Sequence, residues 1–177
     1  MLFPVMPFSP EKNYGTACNQ MMGLLPADGW ACIMDHDVLW TTLNWYHQIT
    51  EIIAAHPLGT FTAVANRIGH PMQREAGAPR TDNLAVHRVY GTEVARRHWG
   101  QLLDITDVQP PMSGMVIVLS KANWELAGGF RPQGILGVDN ALHLALRAQG
   151  RKIWVMRGVY VYHYYRGDRP HDKRHLL

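Results

Sequence analysis

Cysteine is scarce in this 177-residue chain. Cys18 and Cys32 stand in apolar or small-residue surroundings without CxxC spacing, which argues against a disulfide framework and a cysteine-based zinc site. A reducing compartment follows as the expectation, and the cytoplasm fits it. A dominant charge is lacking too: 17 Lys and Arg against 14 Asp and Glu leave a formal net charge of +3. That balance is too weak to imply nucleic acid as a partner. No apolar run approaches the roughly 20 residues of a membrane-spanning helix, the longest strongly apolar stretch being 115–119. Residues 1–10 show no basic segment ahead of an apolar one, so no secretory signal is expected. Repeats, low-complexity tracts and long linkers are absent. The expectation is one domain over residues 1–177, with 166–177 as a basic tail.

What the chain does contain is alternation. Apolar runs of strand length fall at 3–8, 30–34, 61–65, 115–119, 152–156 and 159–165. Between them, helical spacing covers 16–25, a stretch capped by Thr41 or Thr42 and running to about Ala55, 84–99, a short piece at 124–127 closed by Gly128-Gly129, and 139–148 with Gly150 as its C-terminal cap. This order predicts an α/β fold, a sheet with helices packed on it. The segment 69–83 holds two Pro, two Gly and two Arg without periodicity. It reads as a long loop, and long loops in compact domains often carry function.

Three constellations bear chemistry-competent side chains. Asp35-His36-Asp37 follows the apolar run 30–34. In extended chain the side chains at 35 and 37 point the same way, and two carboxylates at the end of a strand suit a hard divalent cation such as Mg²⁺ or Mn²⁺. Aspartate is also a common turn residue, so an isolated pair of this kind has a plain structural reading. Gly137-Val138-Asp139-Asn140 opens a helix, where Asp139 reads as an N-cap, and capping does not exclude function. In Tyr162-His163-Tyr164, strand alternation sets the imidazole opposite the two phenols, as a core histidine or as a metal ligand. After it come Arg166, Arg169, Lys173 and Arg174. They read either as a cationic flap over phosphates or as a solvated terminus.

In combination these residues resemble a known group. Asn13-x-Gly15-x-x-x-Asn19 ahead of Asp35-His36-Asp37 resembles the donor-binding half of GT-A glycosyltransferases, especially the large inverting family 2. Ser113-Gly114-Met115, the run Val118 to Trp124 and Gly128-Gly129-Phe130 resemble that family's acceptor-side strand, helix and turn. Gly137-Val138-Asp139-Asn140, Arg147, Gly150 and the stretch Val161 to Arg166 resemble the C-terminal block shared with polypeptide N-acetylgalactosaminyltransferases. The resemblance spans roughly residues 11 to 166 and implies a GT-A-like, Rossmann-like mixed sheet flanked by helices. It implies a metal-dependent transfer of sugar from a nucleotide sugar, with a uridine diphosphate sugar as the first candidate, to a glycan, protein or small-molecule acceptor.

By the same resemblance Asp37 and His163 ligate Mn²⁺ or Mg²⁺, and Asp35 contacts the metal or the donor ribose. Asn13, Asn19 and Arg166 help to hold the nucleotide. Asp139 lies beside the acceptor hydroxyl, as general base if the enzyme inverts. Members of the family carry more chain ahead of the motif at Asn13, so the fold is expected in an abbreviated form. An abbreviated strand from residues 1–8 meets that requirement, as does a homo-oligomer in which a second subunit covers the gap. A non-catalytic binding module on the same fold and a metal-dependent phosphohydrolase using the same aspartates stay open as alternatives.

Overall fold

The computed structural model describes residues 1–132 and 134–164. The expected α/β architecture is present as a mixed, open, seven-stranded sheet flanked by helices. The strands are β1 (Leu2–Val5), β2 (Trp30–Met34), β3 (Val38–Trp40), β4 (Thr60–Ala65), β5 (Leu102–Asp104), β6 (Val116–Ser120) and β7 (Ile153–His163). Among the described residues the helices are α1 (Tyr14–Gly23), α2 (Trp45–Ala55), α3 (Leu84–His98), α4 (Lys121–Leu126) and α5 (Val138–Ala148), with a 3-10 turn at Pro71–Gln73. The sheet runs β1-β2-β6-β4-β7-β3, and β5 also pairs with β7.

Strand direction decides where the site lies. The β1–β2 and β4–β7 pairs are parallel, whereas β6 is antiparallel to both β2 and β4. The carboxyl ends of β1, β2, β4 and β7 therefore share one edge of the sheet, together with the start of β6. Open α/β sheets bind ligands at this edge. Alternation along the central strands separates two cores. Ala31 and Ile33 of β2 and Ile117 and Leu119 of β6 pack with Met22, Val94, Leu142 and Leu146 from α1, α3 and α5. Cys32, Val116 and Val118 turn to the other face and meet Ile49, Ile52 and Ile53 of α2. Strands buried on both faces read as continuous apolar runs, and for that reason β2, β4 and β6 were legible in the sequence.

Three features of the fold correct the sequence reading. The runs expected as separate strands at 152–156 and 159–165 form one strand, β7, with an irregularity inside it: Ala63 pairs with Met156 but Val64 with Tyr160. Skipping three residues reverses the facing of the strand, so that Ile153 and Val155 lie in one core and Val159 and Val161 in the other. Gly158 permits this, because a Cβ there would lie 2.1 Å from Gln48 Oε1 and 2.6 Å from the His98 carbonyl oxygen. Second, Thr41 and Thr42 do not cap α2, whose N-cap is Asn44. Their hydroxyls donate to the Tyr160 carbonyl at 2.9 and 3.0 Å, and Thr42 Oγ1 accepts the Tyr160 N–H at 2.9 Å. They fill the stretch of the β7 edge left between β5 and β3. Third, the N-cap of α5 is Gly137, at φ 80°, and Asp139 lies in the first turn instead.

Candidate metal centre and active site

Asp35 and Asp37 converge by a different route from the one expected. They do not continue β2 in extended form; the chain turns at this point, with Val38 N–H donating to the Asp35 carbonyl at 3.2 Å. Four residues after β2 ends, the chain is already paired with the end of β7, Val38 opposite His163. This short crossing brings the two carboxylates to the histidine. One ligand atom from each of Asp35, Asp37 and His163 lies within 4.8 Å of the others. His36, between the aspartates, is exposed and stands outside this group.

The His163 ring is oriented by its neighbours. Nδ1 lies 2.8 Å from the Arg67 carbonyl oxygen, which only accepts, so Nδ1 carries a proton and donates it. Nε2 then faces Asp37 Oδ1 at 3.3 Å. Metal-ligating histidines characteristically donate their other N–H to a carbonyl or carboxylate in this way. The backbone N–H of His163 donates to Asn66 Oδ1 at 2.7 Å. Arg67 in turn pairs with Asp82 at 2.9 Å, and Asp82 accepts from the Tyr162 hydroxyl at 2.8 Å. The loop 69–83 is thus tied to the strand that bears the histidine.

The carboxyl groups differ in how firmly they hold a proton. Burial pushes Asp35 up to about 6, against the His163 charge, with Asp37 and Asp139 adding to the rise. Burial acts on Asp37 as well, but the hydrogen bond and charge of His163 outweigh it and hold Asp37 below the ordinary carboxylate value. Asp139 is raised by burial, although the Asn140 and Gly114 amides oppose the rise. The two carboxylates and the imidazole gathered by Asp35, Asp37 and His163 suit a divalent cation with open positions for ligand oxygens.

Asp139 is held by two backbone donors. Oδ2 accepts from Gly114 N–H at 2.7 Å and Oδ1 from Asn140 N–H at 2.9 Å. A Cβ on Gly114 would come within 2.8 Å of Asp139 Cβ, so glycine is what lets the carboxylate seat against this strand entry. Met115, next in sequence, accepts the Asp35 N–H on its carbonyl at 3.0 Å. The entry to β6 therefore joins the two acidic groups.

The asparagines assigned to nucleotide binding are engaged within the fold. Asn13 Oδ1 accepts the Thr16 N–H and caps α1. Asn19 Oδ1 accepts from Trp124 Nε1 and the Phe130 N–H, and its Nδ2 donates to the Phe130 carbonyl, each at 2.8 Å. These contacts are bracing contacts between α1, α4 and the Gly-Gly-Phe turn. Arg166 and the rest of the tail 166–177 lie outside the described residues. A groove of about 630 Å³ beside α1 and α4, lined by Thr16, Gln20, Trp124, Glu125, Gly129 and Pro132 among others, contains neither His163 nor the three carboxylates. Sequence reasoning missed Tyr14, whose hydroxyl donates to Asp35 Oδ1 at 3.4 Å, and Gln73, Asn66 and Arg67. Tyr14 lies inside the Asn13 motif and was within reach of pattern reading. The others sit in loops and had no periodic signal.

No protein-family model matches the chain, and no curated protein matches it in sequence. Among the described residues, no helix is long and apolar enough to cross a membrane. The fold and site together define a mixed α/β protein with a candidate Asp-Asp-His metal centre at the carboxyl edge of its sheet.

Proposed function

We propose that this protein is a metal-dependent glycosyltransferase of GT-A type that takes sugar from a nucleotide sugar, a uridine diphosphate sugar first among donors. The observation that carries the reading is the convergence of Asp35, Asp37 and His163, with a separate half-buried carboxylate, Asp139, joined to Asp35 through the entry to β6. Asp35, Asp37 and His163 would hold Mn²⁺ or Mg²⁺, which when bound would supply positive charge against a leaving diphosphate. His163 enters this site with its ring fixed by the Arg67 carbonyl, so little orientational freedom is lost on binding. Asp139, raised above the ordinary carboxylate value by burial, has the character of a general base that takes the proton of an acceptor hydroxyl.

The test has two arms. Calorimetric titration with Mn²⁺ should show binding to the native protein that Asp37→Ala removes and His163→Ala weakens, with both variants still folded. Thermal-shift screening of nucleotide sugars should then show stabilisation that depends on Mn²⁺; a ligand at a hundredfold excess over its dissociation constant contributes about 2.7 kcal/mol. Unchanged Mn²⁺ binding in folded Asp37→Ala rejects the metal centre. Metal binding without any nucleotide-sugar response rejects the transferase reading.

A further inference from the structure

We propose that Gln73, in the loop between β4 and α3, is a positioning residue that sets the Asp139 carboxylate by gripping the peptide next to it. The inference rests on the reading of Asp139 as the base, but its geometry stands independently. Gln73 is fully buried. Its Oε1 accepts the Ser113 N–H at 2.8 Å, while Nε2 donates to the Ser113 carbonyl at 3.0 Å and to Thr62 Oγ1 at 2.8 Å. The side-chain amide therefore pairs with both backbone groups of Ser113, as a neighbouring strand does in a ladder, and Thr62 of β4 fixes the angle of that amide.

The peptide so gripped is one residue from the acid. Met112 N–H donates to His143 Nδ1 at 3.1 Å, Gly114 N–H donates to Asp139 Oδ2 at 2.7 Å, and the Met115 carbonyl accepts from Asp35. Residues 112, 114 and 115 are thus tied to α5 and to the turn that follows β2. Ser113 alone in this run is tied to the loop, and only through Gln73 in the contacts above. The loop side is itself fixed: His70 Nδ1 accepts the Met72 N–H at 3.2 Å, and the Glu75 N–H donates to the Ala65 carbonyl at 2.9 Å. Without the Gln73 amide, Ser113 has a partly buried N–H and C=O to satisfy by shifting, and the shift is transmitted to the Gly114 N–H that holds Asp139.

The experiment compares native protein with Gln73→Leu by two-dimensional NMR, amide exchange and Mn²⁺ calorimetry. The Gly114 amide proton, donated to a carboxylate, should be shifted downfield in the native spectrum, and Asp139→Asn should move it. In Gln73→Leu the signal should move upfield and its exchange protection should fall by about fivefold or more relative to the amides of β6, as expected for one weakened hydrogen bond. Mn²⁺ affinity should stay within about twofold, since the metal ligands do not touch Gln73. If Gln73→Leu does not fold, Thr62→Val removes only the hydroxyl that orients the amide and should give the same changes in smaller size. An unmoved Gly114 signal in a folded variant, or loss of protection equal to that of β6, overturns the proposal and leaves Gln73 as a packing residue. Unchanged sugar transfer in Asp139→Asn instead rejects the base reading, while the Gly114 signal still decides the placement.

Discussion

Asp139 accepts two backbone N–H groups, one on each oxygen, and this arrangement makes its substitution informative. An asparagine has a single acceptor oxygen, so in Asp139→Asn either Gly114 or Asn140 faces an amide NH₂ group. We expect a stability loss of about 1–3 kcal/mol by chemical denaturation. If Asp139 is the base of the proposed transferase, transfer should slow by at least about a hundredfold with Mn²⁺ binding intact. Near-normal turnover assigns Asp139 to structure alone. The cysteines offer a second test at this scale. Both are free and buried, and burial pushes each thiol up to about 12. Thiolate is the reactive form, so neither should react with iodoacetamide at pH 8 until the chain unfolds. Mass spectrometry after native labelling checks this, and alkylation on native protein contradicts the burial.

At the scale of elements, the close approach of α1 to the 130–132 loop is set by one missing side chain. A Cβ on Gly15 would lie 1.8 Å from the Arg131 carbonyl oxygen, and that neighbour is backbone with no rotamer to yield. Gly15→Ala should destabilise the protein by about 1–3 kcal/mol, the usual cost of overpacking, against any gain from better helix propensity. The denaturant midpoint measures it; an unchanged or raised midpoint shows that the loop yields freely. The contrast is Gly23, at the end of the same helix, where a Cβ meets nothing within 4 Å. Gly23→Ala should therefore leave stability the same or slightly higher.

For the molecule as a whole, two buried histidines make stability fall as the pH drops, against the opposite effect of Asp35 and Asp139, whose raised values favour the folded chain at lower pH. His143 accepts the Met112 N–H on Nδ1 and faces the Thr106 carbonyl through Nε2 at 3.0 Å, a pairing that the neutral ring satisfies. Burial holds both His143 and His70 below the ordinary imidazole value of 6.5. The unfolded chain then binds more protons below pH 6.5, so the stabilisation is fully present above 6.5 and is lost as pH falls through the lowered folded values. Each such histidine contributes a slope of up to about 1.4 kcal/mol per pH unit in that window. Urea unfolding from pH 7.5 to 5.5 should show a steeper loss for native protein than for His143→Gln. Equal slopes exclude His143 as a source. How much of this molecule the sequence determined by itself follows from which forces are local. Apolar runs and helical spacing are local, and so β2, β4, β6 and α3 were readable nearly to the residue, whereas Asp35, Asp37 and His163 came together as a candidate set only through the resemblance to GT-A glycosyltransferases. Pairing between distant segments is not local. β3 and β5 are three-residue strands too short to carry a period, and they exist because β7 offers them an open edge. The two runs of β7 joined because Thr41, Thr42 and Gln48 supply hydrogen bonds across its irregular stretch. Gln73 reached Ser113 from a loop without pattern. Only tertiary packing decided these, since their partners lie far away in sequence and a buried polar group takes whichever partner the folded chain brings within reach.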